Sequence, residues 1–163
     1  MPDLAIHLAG AAVAAPLLRV RAAPWRALFY LATCLPDVLY RVFAVGTASP
    51  TWYAEATHAP LVQAVWAYLF SLAFAPPLRR RAWGVMVAGM WLHGLFDMAK
   101  APLDRGVVVW AFPLSIRRSQ VGFLVSEESV GLSVLCLALF LAVEIACTLL
   151  HRRRSDRPDP TPT

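Results

Sequence analysis

His93 and Asp97 are the sharpest candidates for chemistry in this chain of 163 residues. Their i, i+4 spacing places both side chains on one helical face, one turn apart. An imidazole beside a carboxylate suits a divalent transition metal such as zinc. The alternative is a polar pair that joins two packed helices, with His93 hydrogen-bonded to Asp97. Gly94 lies between them and is expected to let another backbone approach closely.

Three further ionisable residues, His7, Asp37 and His58, lie within or at the start of apolar stretches. An ionisable group inside a membrane segment costs about 2.5–3.5 kcal/mol on insertion scales, so each of them is a functional candidate. Each also has a structural explanation. His7 and His58 could be packed histidines, and Asp37 could pair with Arg41, one helical turn along the chain.

Five apolar stretches must position these residues. Hydrophobic residues make up 59% of the chain and charged residues 15%, whereas a soluble domain has about 25% charged residues. The sequence therefore predicts an all-α integral membrane bundle with four to five transmembrane or membrane-embedded helices, occupying residues 1–150. The stretches cover about 4–18, 27–46, 59–76, 82–99 and 129–150, and the first is short for the ~20 residues that a span needs.

Arginines between these stretches predict the orientation of the bundle. They form three groups, at residues 19–26, 79–81 and 152–157, and alternating spans would place all three on one side. The positive-inside rule makes that side cytoplasmic. We therefore expect Arg79–Arg81 to form a tight turn and residues 151–163 to form a disordered cytoplasmic tail. The net charge of +5 follows this pattern, and no basic stripe interleaved with aromatic residues suggests nucleic-acid binding.

The same topology brings the ionisable residues together. His7, His58 and Asp97 would lie near the outer ends of their segments, His93 one turn deeper and Asp37 deeper still. Three histidines and two carboxylates are enough ligands for one metal ion with an open coordination position, or at most for two metal ions. Asp37 or Asp97 would then serve as the general base.

Other polar or aromatic features have structural interpretations. Glu144 could face lipid, join the site or pair within the bundle, and the last is favoured. Glu127 and Glu128 would complement the dipole of the helix that follows them. Thr57 is expected to cap a helix that has Pro60 in its first turn. Residues 107–113 could form a short strand or, preferably, a segment at the membrane interface.

Five short motifs follow one another over roughly residues 1–115: Met1-Pro2-Asp3-Leu4 with His7 and Gly10, Leu35-Pro36-Asp37, Thr57-His58, His93 to Asp97, and Trp110-Ala111-Phe112-Pro113. Their order and spacing resemble the YdjM-like family of inner-membrane-associated metal-dependent hydrolases, also described as LexA-binding. The resemblance implies an inner-membrane enzyme with a divalent metal, zinc above all, and His7, Asp37, His58, His93 and Asp97 as its ligands or their immediate neighbours. By distant analogy it also implies hydrolysis of phosphate esters or lipid-linked substrates.

The sequence departs from that family at three places. Leu39 replaces a second aspartate, Tyr53-Ala54-Glu55 replace a His-Arg-Gly element, and Ala59 replaces a serine. These departures favour one metal ion over two, or weak metal binding. They also support the alternative of a non-catalytic scaffold or structural metal-binding protein.

Membrane lipid and a small-molecule or lipid-headgroup substrate are the expected partners. A metal transporter ranks third, because one cluster near one face makes a poor path through the membrane.

Overall fold

The fold is built from helices alone over the residues that the computed structural model describes, which are 3–45, 52–99, 109–117 and 130–155. No strand occurs in those ranges, so the prediction of an all-α fold is confirmed. The five apolar stretches correspond to five of the helices, and one short helix was not expected. The six helices are α1 (Asp3–Leu17), α2 (Ala23–Ala44), α3 (Trp52–Ala56), α4 (Pro60–Ser71), α5 (Pro76–Ala99) and α6 (Val130–Ser155).

Two of the described helices, α2 and α6, are long and apolar enough to cross a membrane. Helix α4 has 12 residues, so it rises about 18 Å, well short of the ~30 Å of hydrocarbon in a bilayer. Helix α1 has 15 residues, and α5 carries three arginines near its start. By length and composition, two of the predicted stretches could therefore span a membrane.

Helix α5 begins earlier than its apolar stretch. Arg79, Arg80 and Arg81 lie in its first turns and do not form the predicted tight turn, which instead falls between α4 and α5. The first turn of a helix has N–H groups without an intrahelical partner, and proline lacks an N–H and has a helical φ angle. Pro76 and Pro77 are therefore suited to start the helix. Arginine is also a good helix former. At the other end of the chain, α6 continues past the predicted boundary at residue 151 to Ser155.

The start of α4 also differs from the prediction. Pro60 does occupy its first turn, but the N-cap residue is Ala59, and no side chain in the described part of the chain caps the helix. The Thr57 hydroxyl instead donates a hydrogen bond to the carbonyl oxygen of Ala54, 2.7 Å away. This bond closes the tight turn that joins α3 to α4 and leaves His58 at a fixed position in it.

Helix α5 contacts α1, α2 and α4, while α6 packs mainly against α1. The buried surfaces are rich in small residues, which lets helix backbones approach closely. At Gly89 of α5, an added Cβ atom would lie 2.7 Å from the carbonyl oxygen of Phe29 in α2. No described atom lies within 4 Å of such a Cβ at Gly94, so the close approach predicted there occurs at Gly89. The buried hydrophobic clusters comprise Ala11, Ala15, Val20 and Phe29, and Ala32, Ala67, Met86 and Met90.

The bundle has two chemically different ends. At one end, which we call the arginine end, Arg26 of α2 pairs with Glu144 of α6, and Arg81 of α5 stacks over the ring of Trp25 in α2. The opposite end, the histidine end, contains the start of α1, the second half of α2, the start of α4 and the end of α5. Glu144 therefore pairs within the bundle, as favoured, and it also accepts a hydrogen bond from the Tyr30 hydroxyl.

Of the segment predicted at residues 107–113, the first two residues lie outside the described ranges. Residues 109–117 contain a turn at 110–114 and no strand. Val109 is buried and Trp110 is half-buried. The predictions for Glu127, Glu128 and the tail from residue 156 onward concern residues outside the described ranges.

Candidate metal centre

Four segments deliver five ligand-type side chains to the histidine end. His7 comes from the second turn of α1, Asp37 from the C-terminal half of α2, and His58 from the turn between α3 and α4. His93 and Asp97 lie one turn apart near the end of α5. The side chains of His7 and His93 are fully buried and Asp37 is the most exposed of the five, with 30% of its side chain accessible. The cluster thus opens to its surroundings at Asp37.

The polar atoms of these side chains converge on one small volume. Asp97 reaches all three histidines: its Oδ1 lies 3.4 Å from Nε2 of His7, and its Oδ2 lies 3.6 Å from Nε2 of His58 and 2.9 Å from Nε2 of His93. The Oδ1 atom of Asp37 lies 3.5 Å from Nε2 of His58 and 3.6 Å from Nε2 of His93. The structure therefore brings together all five residues singled out in the sequence.

These separations match the edges of a metal coordination shell better than they match hydrogen bonds. Charged N–H···O hydrogen bonds span about 2.7–2.9 Å, and four of the five distances are 3.4–3.6 Å. Ligands about 2.0–2.1 Å from a tetrahedral zinc ion lie about 3.3 Å apart. The fifth pair is 2.9 Å apart, yet among the described residues Nε2 of His93 has no partner in hydrogen-bonding geometry.

Two sets of three residues have ligand atoms within 4.8 Å of one another: His7, Asp37 and His93, and His58, His93 and Asp97. The two sets share His93, whose ring stacks on that of His7 with 4.0 Å between centroids. The buried histidine and aspartate groups could therefore hold a metal ion. Because the sets overlap so closely, the geometry suits one shared ion better than two separate ions.

The two carboxylates of the cluster, Asp37 and Asp97, also suit it to a bound cation. Carboxylates in a mostly buried volume are costly unless a positive charge lies beside them. Arg41 does not supply the compensation for Asp37: no ion pair joins these two described residues, and Arg41 is exposed. A divalent cation bound between the histidine nitrogens and carboxylate oxygens would balance the charge.

Two neighbours whose contacts the sequence did not predict shape the site. The ring of Phe96 lies edge-on to His7, with centroids 5.8 Å apart. It can do so because position 10 is glycine: an added Cβ atom there would lie 2.2 Å from Cζ of Phe96. Thr57 was predicted to cap a helix and belongs to the Thr57-His58 motif, and its Oγ1 lies 3.2 Å from Nδ1 of His58. Its place directly before His58 was the only sequence signal for this contact.

Comparisons of the chain with protein-family models, curated protein sequences and solved structures found no match.

Proposed function

We propose that this protein is a membrane-bound, metal-dependent hydrolase related to the YdjM-like family, with one zinc ion at the histidine end. The observation that carries the proposal is the convergence of three Nε2 atoms and two carboxylates at the edge lengths of one coordination shell. His7, His58, His93 and Asp97 would hold the ion, because they are nine-tenths or more buried. Asp37 would complete the shell or act beside it.

A zinc ion held by these residues would supply Lewis-acid chemistry, lowering the pKa of a water and polarising a phosphoryl or carbonyl oxygen. Asp37 is suited to the role of general base because it is the exposed member of the cluster. One of its oxygens faces the histidines, and the other can accept the proton of the attacking water. The water oxygen bonds to phosphorus, the ester P–O bond breaks, and Asp37 returns the proton to the leaving alcohol.

Phosphate esters and lipid-linked substrates are the proposed substrate class. The cluster lies at one end of a bundle in which α2 and α6 could span a membrane, and none of the residues of α6 between Gly131 and Leu150 is buried. Such an apolar surface is suited to contact with lipid. A lipid that lies against the bundle could place an ester bond of its headgroup near Asp37 while its acyl chains stay in the membrane.

A non-catalytic metal-binding scaffold is the second candidate. It is favoured by the small opening of the site, since Asp37 is its one member with substantial exposure, and by Leu39 in place of a second aspartate. Both functions require the metal, and they differ in whether a substrate reaches it.

Metal analysis of the purified protein, followed by an esterase assay, separates the two functions. We expect about one zinc per chain after dialysis, and zinc-dependent release of product from bis(p-nitrophenyl) phosphate or from phospholipid vesicles. Glu144→Gln is the matched control, since it removes a carboxylate at the arginine end and should leave the metal content unchanged. Zinc without hydrolysis would favour the scaffold, and an absence of metal would contradict both.

We also propose an inner-membrane location with four to five membrane-embedded helices, with the arginine end and the C-terminus on the cytoplasmic side. In a variant whose native cysteines are replaced, a cysteine at position 163 should resist an impermeant thiol reagent in intact cells. A cysteine at position 119 should react. The reverse labelling pattern would contradict this orientation.

A further inference from the structure

The hydroxyl of Thr57 has two polar neighbours and one proton. Its Oγ1 lies 2.7 Å from the carbonyl oxygen of Ala54 and 3.2 Å from Nδ1 of His58. The residue is 1% exposed, so water does not compete for these contacts. A carbonyl oxygen can only accept a hydrogen bond, so the hydroxyl proton must be directed to Ala54.

The protonation of the His58 ring follows from this assignment. With its proton committed to Ala54, Oγ1 can only accept from Nδ1, and Nδ1 must therefore carry a hydrogen. In a neutral imidazole the other nitrogen, Nε2, is then unprotonated. Nε2 lies 3.5 Å from Asp37 Oδ1 and 3.6 Å from Asp97 Oδ2, distances beyond the roughly 2.7–3.2 Å that is typical of an N–H···O hydrogen bond.

The opposite tautomer fits the structure poorly. If the hydroxyl donated to Nδ1, the contact with Ala54 would place two oxygens 2.7 Å apart with no proton between them. Nε2 would carry a hydrogen that points into the cluster and blocks a metal. The rings of Tyr40 and His58 also pack edge to face, with 5.7 Å between their centroids, which further fixes the position of the His58 ring.

We infer that Thr57 is a positioning residue: the relay from His58 Nδ1–H to Thr57 and on to the Ala54 carbonyl fixes the tautomer in which His58 Nε2 is free to bind metal. This inference rests on the proposed metal site for its purpose, although the tautomer itself is a property of the metal-free protein. Ligand histidines are commonly held in this way by a partner on the second ring nitrogen, and losing that partner typically costs about 10–100-fold in metal affinity.

Thr33 provides a matched control for substitution. Its hydroxyl is also buried and also donates to a backbone carbonyl, that of Phe29 at 2.9 Å, but among the described contacts it meets no histidine. Thr57→Val and Thr33→Val thus each remove a buried hydroxyl and its bond to a carbonyl, and only the first removes the contact with a ring nitrogen. Thr57→Ser keeps the hydroxyl.

The test measures zinc affinity, the absorption spectrum of the cobalt-loaded protein, and the nitrogen-15 resonances of His58 in the metal-free protein. We expect His58 to be protonated at Nδ1 in the parent. Thr57→Val should lower zinc affinity about 10–100-fold and alter the cobalt spectrum, Thr57→Ser should restore both, and Thr33→Val should leave both unchanged.

A His58 protonated at Nε2 in the parent would overturn the inference, and so would a Thr57→Val protein that keeps the parent's affinity and spectrum. If the parent binds no zinc, the proposed function fails. The nitrogen-15 resonances of His58 in the metal-free parent and in Thr57→Ser then test the inference without zinc. The same measurement tests it if Thr57→Val does not fold.

Discussion

Asp97→Asn should abolish zinc binding while leaving the metal-free protein folded. Asp97 is the residue whose two oxygens contact all three histidines, at 3.4, 3.6 and 2.9 Å. Asparagine has nearly the same shape but no charge, and its amide would turn a donor toward a ring nitrogen. We therefore expect the loss of affinity to exceed the roughly 10–100-fold typical of residues that only support a ligand.

The metal-free thermal stability of this variant identifies what Asp97 does. If Asp97 is a ligand, removing its charge relieves repulsion with Asp37, and the metal-free variant should unfold at the parent's temperature or above it. If it serves only as an ion-pair partner of the histidines, the variant should unfold at a lower temperature and zinc should change little. An Asp97→Asn protein that keeps its zinc after dialysis would exclude the proposed centre.

Gly89→Ala should cause a large loss of stability. The added Cβ would lie 2.7 Å from the Phe29 carbonyl oxygen, 2.9 Å from Cβ of Ala32 and 3.1 Å from the backbone nitrogen of Thr33. Two of these are backbone atoms of α2, which cannot rotate away as a side chain can. The helices must separate, and overpacking of this kind typically costs about 1–3 kcal/mol.

Gly84→Ala is the matched control because it lies on the same helix and a Cβ there meets no described atom within 4 Å. Alanine is favoured over glycine in a helix by about 0.8–1 kcal/mol, so this variant should be as stable as the parent or more so in detergent unfolding. Zinc affinity should fall in Gly89→Ala alone, since α2 carries Asp37 and α5 carries His93. Equal unfolding temperatures for the two variants would disprove the close packing of α2 and α5.

The helices themselves were predictable because long apolar runs leave few other solutions for the backbone. Their ends were less predictable. The apolar stretch begins near residue 82, but the helix begins at Pro76, because arginine interrupts an apolar pattern and is still a good helix former. The convergence of His7, Asp37, His58, His93 and Asp97 followed from counting positions along alternating segments, which fixes depth in the bundle.

Depth alone does not fix how each helix is rotated about its axis. Helices α1 and α6 are apolar on nearly every face, so no polar stripe in the sequence marks the side that packs. For that reason the sequence left three possibilities for Glu144 and gave no sign that Arg26 and Tyr30 meet it. The contacts of Gly89 with α2, and of Thr57 with His58, depend in the same way on neighbours that only the folded chain brings together.

Gly10 and Phe96 are 86 positions apart, yet the fold makes their identities interdependent. A relative with this architecture that carries alanine or a larger residue at position 10 has no room for an aromatic ring in its present place at position 96. The change at position 10 must then be accompanied by a smaller residue at position 96, by rotation of the ring at position 96 away from His7, or by a shift of α1 that moves His7 away from His93. Among descendants of this sequence that keep the histidine cluster, these two positions should therefore evolve as a pair.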